Sequence, residues 1–148
     1  MVHAPERIIA WGRDFGGEPV VVTTVALYVP TAAAHQRLPF ELIANAGWAE
    51  ETLVVTMVGP RSRRYRARLS EPGQVPVAVR ERVTASIALS EHVTLAAGAG
   101  ARITARRVPG ADELTWNVVF DPGLDPSDPV LRGLAEAAIG ELRASTGL

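Results

Sequence analysis

At 148 residues and 15.8 kDa the chain is the size of one domain, and 47% hydrophobic against 21% charged residues excludes an intrinsically disordered polymer. Without cysteine it holds no disulfide, thiolate zinc site or cysteine nucleophile, and at this length it can bury enough surface to fold without them. All 15 cationic residues are arginine; the net charge of −1 excludes a global pull toward nucleic acid or membrane, yet residues 61–107 carry ten arginines against three acids.

Arg7 to Gly12 reads as a short strand ended by Gly12 and by Gly16-Gly17. Val20 to Val29 is rich in β-branched residues, stops at Pro30 and is expected as one strand too apolar for an open edge. Thr31 to Arg37 reads as a polar loop, followed by an extended segment from Leu38 to Trp48 and a strand from Thr52 to Val58 that ends at Gly59-Pro60. Tyr65, Ala67 and Leu69 alternate with Arg64, Arg66 and Arg68, which predicts a half-buried strand with an arginine face. Val75, Val79, Val83 and Ile87 recur every four residues after Glu71-Pro72-Gly73, so a helix is expected from there to about Leu89, with Pro76 in its first turn. The same stretch also alternates like a strand at Val83, Ala85, Ile87 and Leu89. Gly98 to Gly100 reads as a hinge, and Arg102 to Val108 with Glu113 to Phe120 as a hairpin around Pro109-Gly110-Ala111-Asp112. Asp128 and Pro129 then start an amphipathic helix whose apolar face is Leu131, Leu134, Ala135, Ala138, Ile139 and Leu142. The expectation is one α+β domain of about seven strands and two helices.

The run Trp11…Val20-Val-Val-Thr-Thr-Val-Ala-Leu-Tyr-Val29…Arg37-Leu-Pro-Phe-Glu-Leu-Ile43…Trp48…Thr52-Leu-Val-Val55 resembles bacterial pleckstrin-homology-like domains. Thr23 and Leu27 match a "valine, threonine, x, x, x, leucine" strand, and Leu38, Pro39 and Ile43 match a "leucine-proline-x-x-x-isoleucine" strand. Arg68-Leu-Ser-Glu-Pro-Gly73 leading into a helix fits how such domains close. The resemblance implies a strongly bent antiparallel roll with one end plugged by an amphipathic helix, residues 1–92 forming the pleckstrin-homology-like portion and 93–148 a hairpin and helix that complete or extend it. Either helix is open as the plug. Family members that bind phosphoinositides place basic residues in the loop joining the first two strands. Here that loop, Arg13 to Pro19, has one arginine against two acids, so specific phosphoinositide binding is not expected.

Arg61, Arg63, Arg64, Arg66 and Arg68 with Tyr65 form the candidate binding site, because three of those arginines should stand on one strand face about 7 Å apart. Such a stripe suits phosphates or an acidic protein tail; a solvated face paired with Glu18, Glu50, Glu51 or the acidic C-terminal third is the structural alternative. Only Tyr65 could stack on a base, which disfavours nucleic acid. Asp121, Asp125 and Asp128 could hold calcium, but their spacing matches no EF-hand loop and suits a proline-rigid lead into the capped helix. His3, His35 and His92 form no pair at metal-ligand spacing, and no nucleophile elbow, P-loop or dinucleotide fingerprint occurs. Trp11, Trp48 and Trp116 read as core or plug contacts unless two are exposed together.

These readings point to a cytoplasmic, non-enzymatic module without cofactor, catalytic residue or transmembrane segment. It binds an unidentified protein partner, self-association included, through the arginine strand. Weak RNA or anionic-surface binding by the same arginines is the alternative, and a small enzyme with an unrecognised carboxylate site is the second.

Overall fold

The computed structural model describes residues 6–59 and 61–148; Pro60, the expected strand stop, and His3 lie outside them. Within that range the chain is α+β, with ten strands in a large and a small antiparallel sheet and two helices. Its contacts divide it into two compact units, one running up to Ser86 with Val108–Asp112, the other comprising Ile87–Arg107 and Glu113–Leu148.

The first unit holds β1 (Ile8–Asp14), β2 (Pro19–Thr23), β3 (Ala26–Pro30), β4 (His35–Pro39), β5 (Ile43–Ala49), β6 (Thr52–Met57), β7 (Arg64–Glu71) and α1 (Val75–Ser86). The strands are antiparallel in the order β4-β3-β2-β1-β7-β6-β5. In a flat sheet the two edge strands would stand about 29 Å apart, six spacings of roughly 4.8 Å. Yet β4 and β5 are joined by a single 3₁₀ turn, Phe40–Leu42, and the four steps from Pro39 to Ile43 reach no more than about 14 Å. The sheet must therefore curl into a roll. Bulges in the β1–β2 register between Ile8 and Ala10 and in the β5–β6 register between Ile43 and Asn45 help it bend.

Inside the roll lie Val20, Val22, Leu27, Leu38, Phe40, Ile43, Leu53, Val55 and Leu69, all essentially inaccessible. The four-residue recurrence places Val75, Val79 and Val83 on one face of α1, and all three are buried in that core. α1 packs on β1, β2, β5 and the 3₁₀ turn, so it is the helix that plugs the roll.

Several expectations are corrected. The single strand Val20–Val29 is two strands, because Thr23 Oγ1 accepts the N–H groups of Val25 (3.2 Å) and Ala26 (3.1 Å) and folds the chain into a hairpin. Valine and threonine in β2 and tyrosine and valine in β3 all favour extended backbone, so propensity does not mark the turn between them. The last three residues of the expected polar loop after Pro30, His35 to Arg37, belong instead to β4, paired with β3 from Ala26↔Pro39 to Pro30↔His35. The first helix stops at Ser86, and Ile87 opens β8 (Ile87–Ala96) rather than lying in a helix that reaches Leu89. The alternation in that stretch wins because β9 (Ala99–Arg107) supplies a partner for the whole of β8.

In the second unit β8, β9 and β10 (Leu114–Phe120) form a sheet in the order β10-β9-β8, with α2 (Pro129–Thr146) on β8. The expected Gly98–Gly100 hinge is instead a two-residue hairpin turn, Ala97-Gly98, with Gly98 at φ 72° and Ala96 paired to Ala99. The unit boundary falls at Ser86–Ile87, because β8 pairs with β9. α2 starts as expected: Asp128 Oδ1 accepts the Val130 N–H at 2.9 Å and Pro129 occupies the first turn. Gly147, at φ 73°, ends it. Of its apolar face only Ala135 is fully buried, while Leu131, Leu134, Ala138, Ile139 and Leu142 are half-buried.

Candidate functional site

β7 has the alternation expected of it. Ala67 and Leu69 are buried and Tyr65 is half-buried against the core, while Arg64, Arg66 and Arg68 stand exposed on the other face. Opposite them on β6 are Thr56, Val54 and Thr52. Arg61 and Arg63 sit exposed in the β6–β7 connection, where the Arg63 carbonyl accepts the Met57 N–H at 2.7 Å. Six predicted residues therefore lie on one strand and its lead-in, but Tyr65 faces away from the stripe.

The stripe is unevenly neutralised. Arg68 lies 3.6 Å from a Glu51 carboxylate oxygen, and its guanidinium is centred 4.4 Å above the Phe15 ring. The expected pairing with Glu18 or Glu50 does not form. Among the described residues Arg61, Arg63, Arg64 and Arg66 have no carboxylate within ion-pair distance. β7 is also not an edge of the sheet order, since it lies between β1 and β6, so pairing along its whole length is unavailable.

The β1–β2 loop is closed on itself. Asp14 Oδ1 accepts the N–H groups of Gly16 (2.9 Å) and Glu18 (2.8 Å), and Arg13 is directed to Glu71 (3.8 Å) and to the Trp11 ring (5.6 Å). The backbone donors and the cation that could meet a phosphate there already have partners.

A second feature had no signal in the sequence. Glu6, Ile8, Val21, Thr23, Tyr28 and His35 line a shallow, open depression of about 390 Å³ on the outer face of β1–β4. One Glu6 carboxylate oxygen accepts hydrogen bonds from the Tyr28 hydroxyl (2.7 Å) and Thr23 Oγ1 (2.7 Å), and Arg37 Nε donates to the Tyr28 oxygen at 3.2 Å. The Tyr28 and Thr23 hydrogen bonds hold the Glu6 carboxyl below its ordinary range, and the bond to Glu6 raises the Tyr28 hydroxyl above its own. Both shifts lead away from neutrality, so neither group is poised to exchange a proton near pH 7. The Glu6 hydrogen bonds join segments up to 22 positions apart, which no spacing in the chain could link.

The three expected carboxylates have separate duties. Asp121 Oδ1 is 2.8 Å from His92 Nε2, and Asp128 caps α2. Asp125 accepts both the hydroxyl and the N–H of Ser127, which lowers its carboxyl. No group of three metal-capable side chains occurs among the described residues. Of the tryptophans, Trp11 is 56% exposed on β1, whereas Trp48 is half-buried against the core of its own unit and Trp116 half-buried in the other. Among the described residues no helix is long and apolar enough to cross a membrane. No protein-family model matches the chain, and no curated protein or solved structure matches it significantly.

Proposed function

We propose that this chain is a cytoplasmic, non-enzymatic binding module of the pleckstrin-homology-like kind, and that it holds another protein through the arginine face of β7. The observation that carries the reading is the cluster Arg61, Arg63, Arg64 and Arg66, exposed and without a carboxylate partner among the described residues. Four planar cations within one short stretch repel each other, so an anionic partner gains by neutralising them. The family reading draws support from the bent roll and from α1, which plugs it directly after the last strand.

A protein is favoured over a phosphoinositide because the donors of the β1–β2 loop are occupied. It is favoured over RNA because Tyr65, the ring interleaved with the stripe, packs against the core side. The test is a nuclease-treated pull-down at roughly physiological salt, comparing wild type with the folded Arg64→Glu, Arg66→Glu, Arg68→Glu variant. A discrete protein retained by the wild type and lost by the variant supports the reading. Retention that disappears on nuclease treatment moves the function to nucleic acid, and equal retention by both proteins removes the stripe from it.

A further inference from the structure

The register of β7 leaves part of its backbone unpaired. The Leu69 N–H donates to the Glu51 carbonyl (2.8 Å) and the Met57 N–H to the Arg63 carbonyl (2.7 Å). These bonds flank Thr52↔Arg68 and Thr56↔Arg64, which makes both of them non-hydrogen-bonded pairs of the β6–β7 ladder. The N–H and C=O groups of Arg64, Arg66 and Arg68 consequently point away from β6, toward β1.

β1 reaches only the last of them. Its ladder with β7 consists of Arg13↔Glu71 and Asp14↔Leu69, followed by a bond of 3.3 Å from the Phe15 N–H to the Arg68 carbonyl. The chain then turns back through Asp14–Glu18, where the Asp14 N–H donates to the Glu18 carbonyl at 2.9 Å. Past that turn no strand among the described residues pairs with the N–H and C=O groups of Arg64 and Arg66, and both residues are exposed. An interior strand thus carries a short open edge.

We infer that this edge takes an extended acidic peptide as an added strand. The inference rests on the protein-binding reading of the same arginines. Backbone pairing with Arg64 and Arg66 would supply the main-chain bonds, and carboxylates at alternate positions of the peptide would face the guanidinium groups of the stripe. Its intervening side chains would turn toward the Tyr65 side, where apolar groups fit. Charge selects this occupant: Arg61, Arg63, Arg64 and Arg66 flank the edge with no carboxylate within ion-pair distance among the described residues. A second copy pairing through its own β7 would set arginine against arginine, and a nucleic acid has no ladder of N–H and C=O groups to offer.

The test is amide hydrogen exchange by NMR on the full chain, with a short synthetic peptide alternating glutamate and valine. Its companions are a lysine-for-glutamate peptide and a glutamate peptide N-methylated at alternate residues along one edge. Expected are binding of the glutamate peptide alone and slowing of the Arg64 and Arg66 amides by about tenfold or more. An Arg64→Gln, Arg66→Gln variant should bind it about tenfold more weakly, with the edge intact. Binding of the N-methylated peptide as tightly as its parent, or binding without protection of these two amides, overturns strand addition while leaving the arginine face a binding surface. No peptide binding, with a partner still lost by the triple glutamate variant in the pull-down, overturns strand addition alone. No binding in either experiment overturns both. Concentration-dependent protection of the two amides in the free protein assigns the edge to a second copy and overturns the peptide.

Discussion

Gly12 and Gly100 both lie where a side chain would collide with a neighbour, and the structure predicts opposite outcomes for alanine at the two sites. At Gly12 on β1 a Cβ would press into the Glu71 carbonyl oxygen and stand 3.0 Å from the Pro72 oxygen and 3.2 Å from the Pro72 carbonyl carbon. All three are backbone atoms at the end of β7, which cannot swing aside, so the β1–β7 seam must open. Overpacking of this kind costs about 1–3 kcal/mol, offset by about 0.5–1 kcal/mol from the lower entropy of the unfolded alanine chain. With no flexible neighbour the upper end applies, and Gly12→Ala should lose about 2 kcal/mol. At Gly100 on β9 the new Cβ would meet His92 Cε1 at 2.6 Å, Asp121 Oδ2 at 2.7 Å and His92 Nε2 at 2.9 Å. These are ends of exposed side chains that can rotate away, at the expense of the surface His92–Asp121 hydrogen bond, worth about 0.5–1 kcal/mol. The gain in the unfolded chain cancels most of that, so Gly100→Ala should fall within about 0.5 kcal/mol of wild type. Urea titration of wild type and both variants, with m-values compared, reads the difference. Trp11 and Trp48 report on the first unit and Trp116 on the second. A Gly12→Ala protein as stable as wild type, or a Gly100→Ala protein as damaged as Gly12→Ala, would refute the reasoning.

Thr23→Val should cost about 2 kcal/mol in the same titration. It leaves the N–H groups of Val25 and Ala26 without their acceptor at the β2–β3 turn, where Thr23 is buried. Asp128→Ala removes the α2 cap and should cost about 1 kcal/mol, with circular dichroism showing an earlier loss of helix on heating, whereas Asp128→Asn should recover most of it. Glu6 is held below its ordinary value of 4.5 in the folded chain, so its hydrogen bonds contribute stability above that pH and lose it as pH falls through the lowered folded value. Stability measured from pH 6 downward should therefore fall less steeply for Glu6→Gln than for wild type; identical slopes would remove Glu6 from the acid response.

Much of the candidate site could be read in the chain because it obeys a local period. Arg64, Arg66 and Arg68 alternate with Tyr65, Ala67 and Leu69, and a two-residue repeat places them on opposite faces whatever the strand's neighbours are. The half-buried face of α2, its Asp128 cap and the buried valines of α1 follow from periods and end signals of the same local kind. Where local signals agreed with two structures, the chain alone could not choose. Val20–Val29 favours extended backbone on both sides of the Thr23 turn, and Ile87–Leu89 fits either period until β9 supplies a partner.

The alternating face of β7 was determined by sequence alone, but its partners were decided by tertiary structure. Glu51 reaches Arg68 but not its neighbours, and β1 leaves the sheet at Asp14 before it can pair with Arg64 and Arg66. Side-chain direction is a property of each strand and can be read from its own residues. Whether a charge or an N–H group is satisfied depends on segments that arrive from elsewhere in the chain, and only the folded arrangement brings them there.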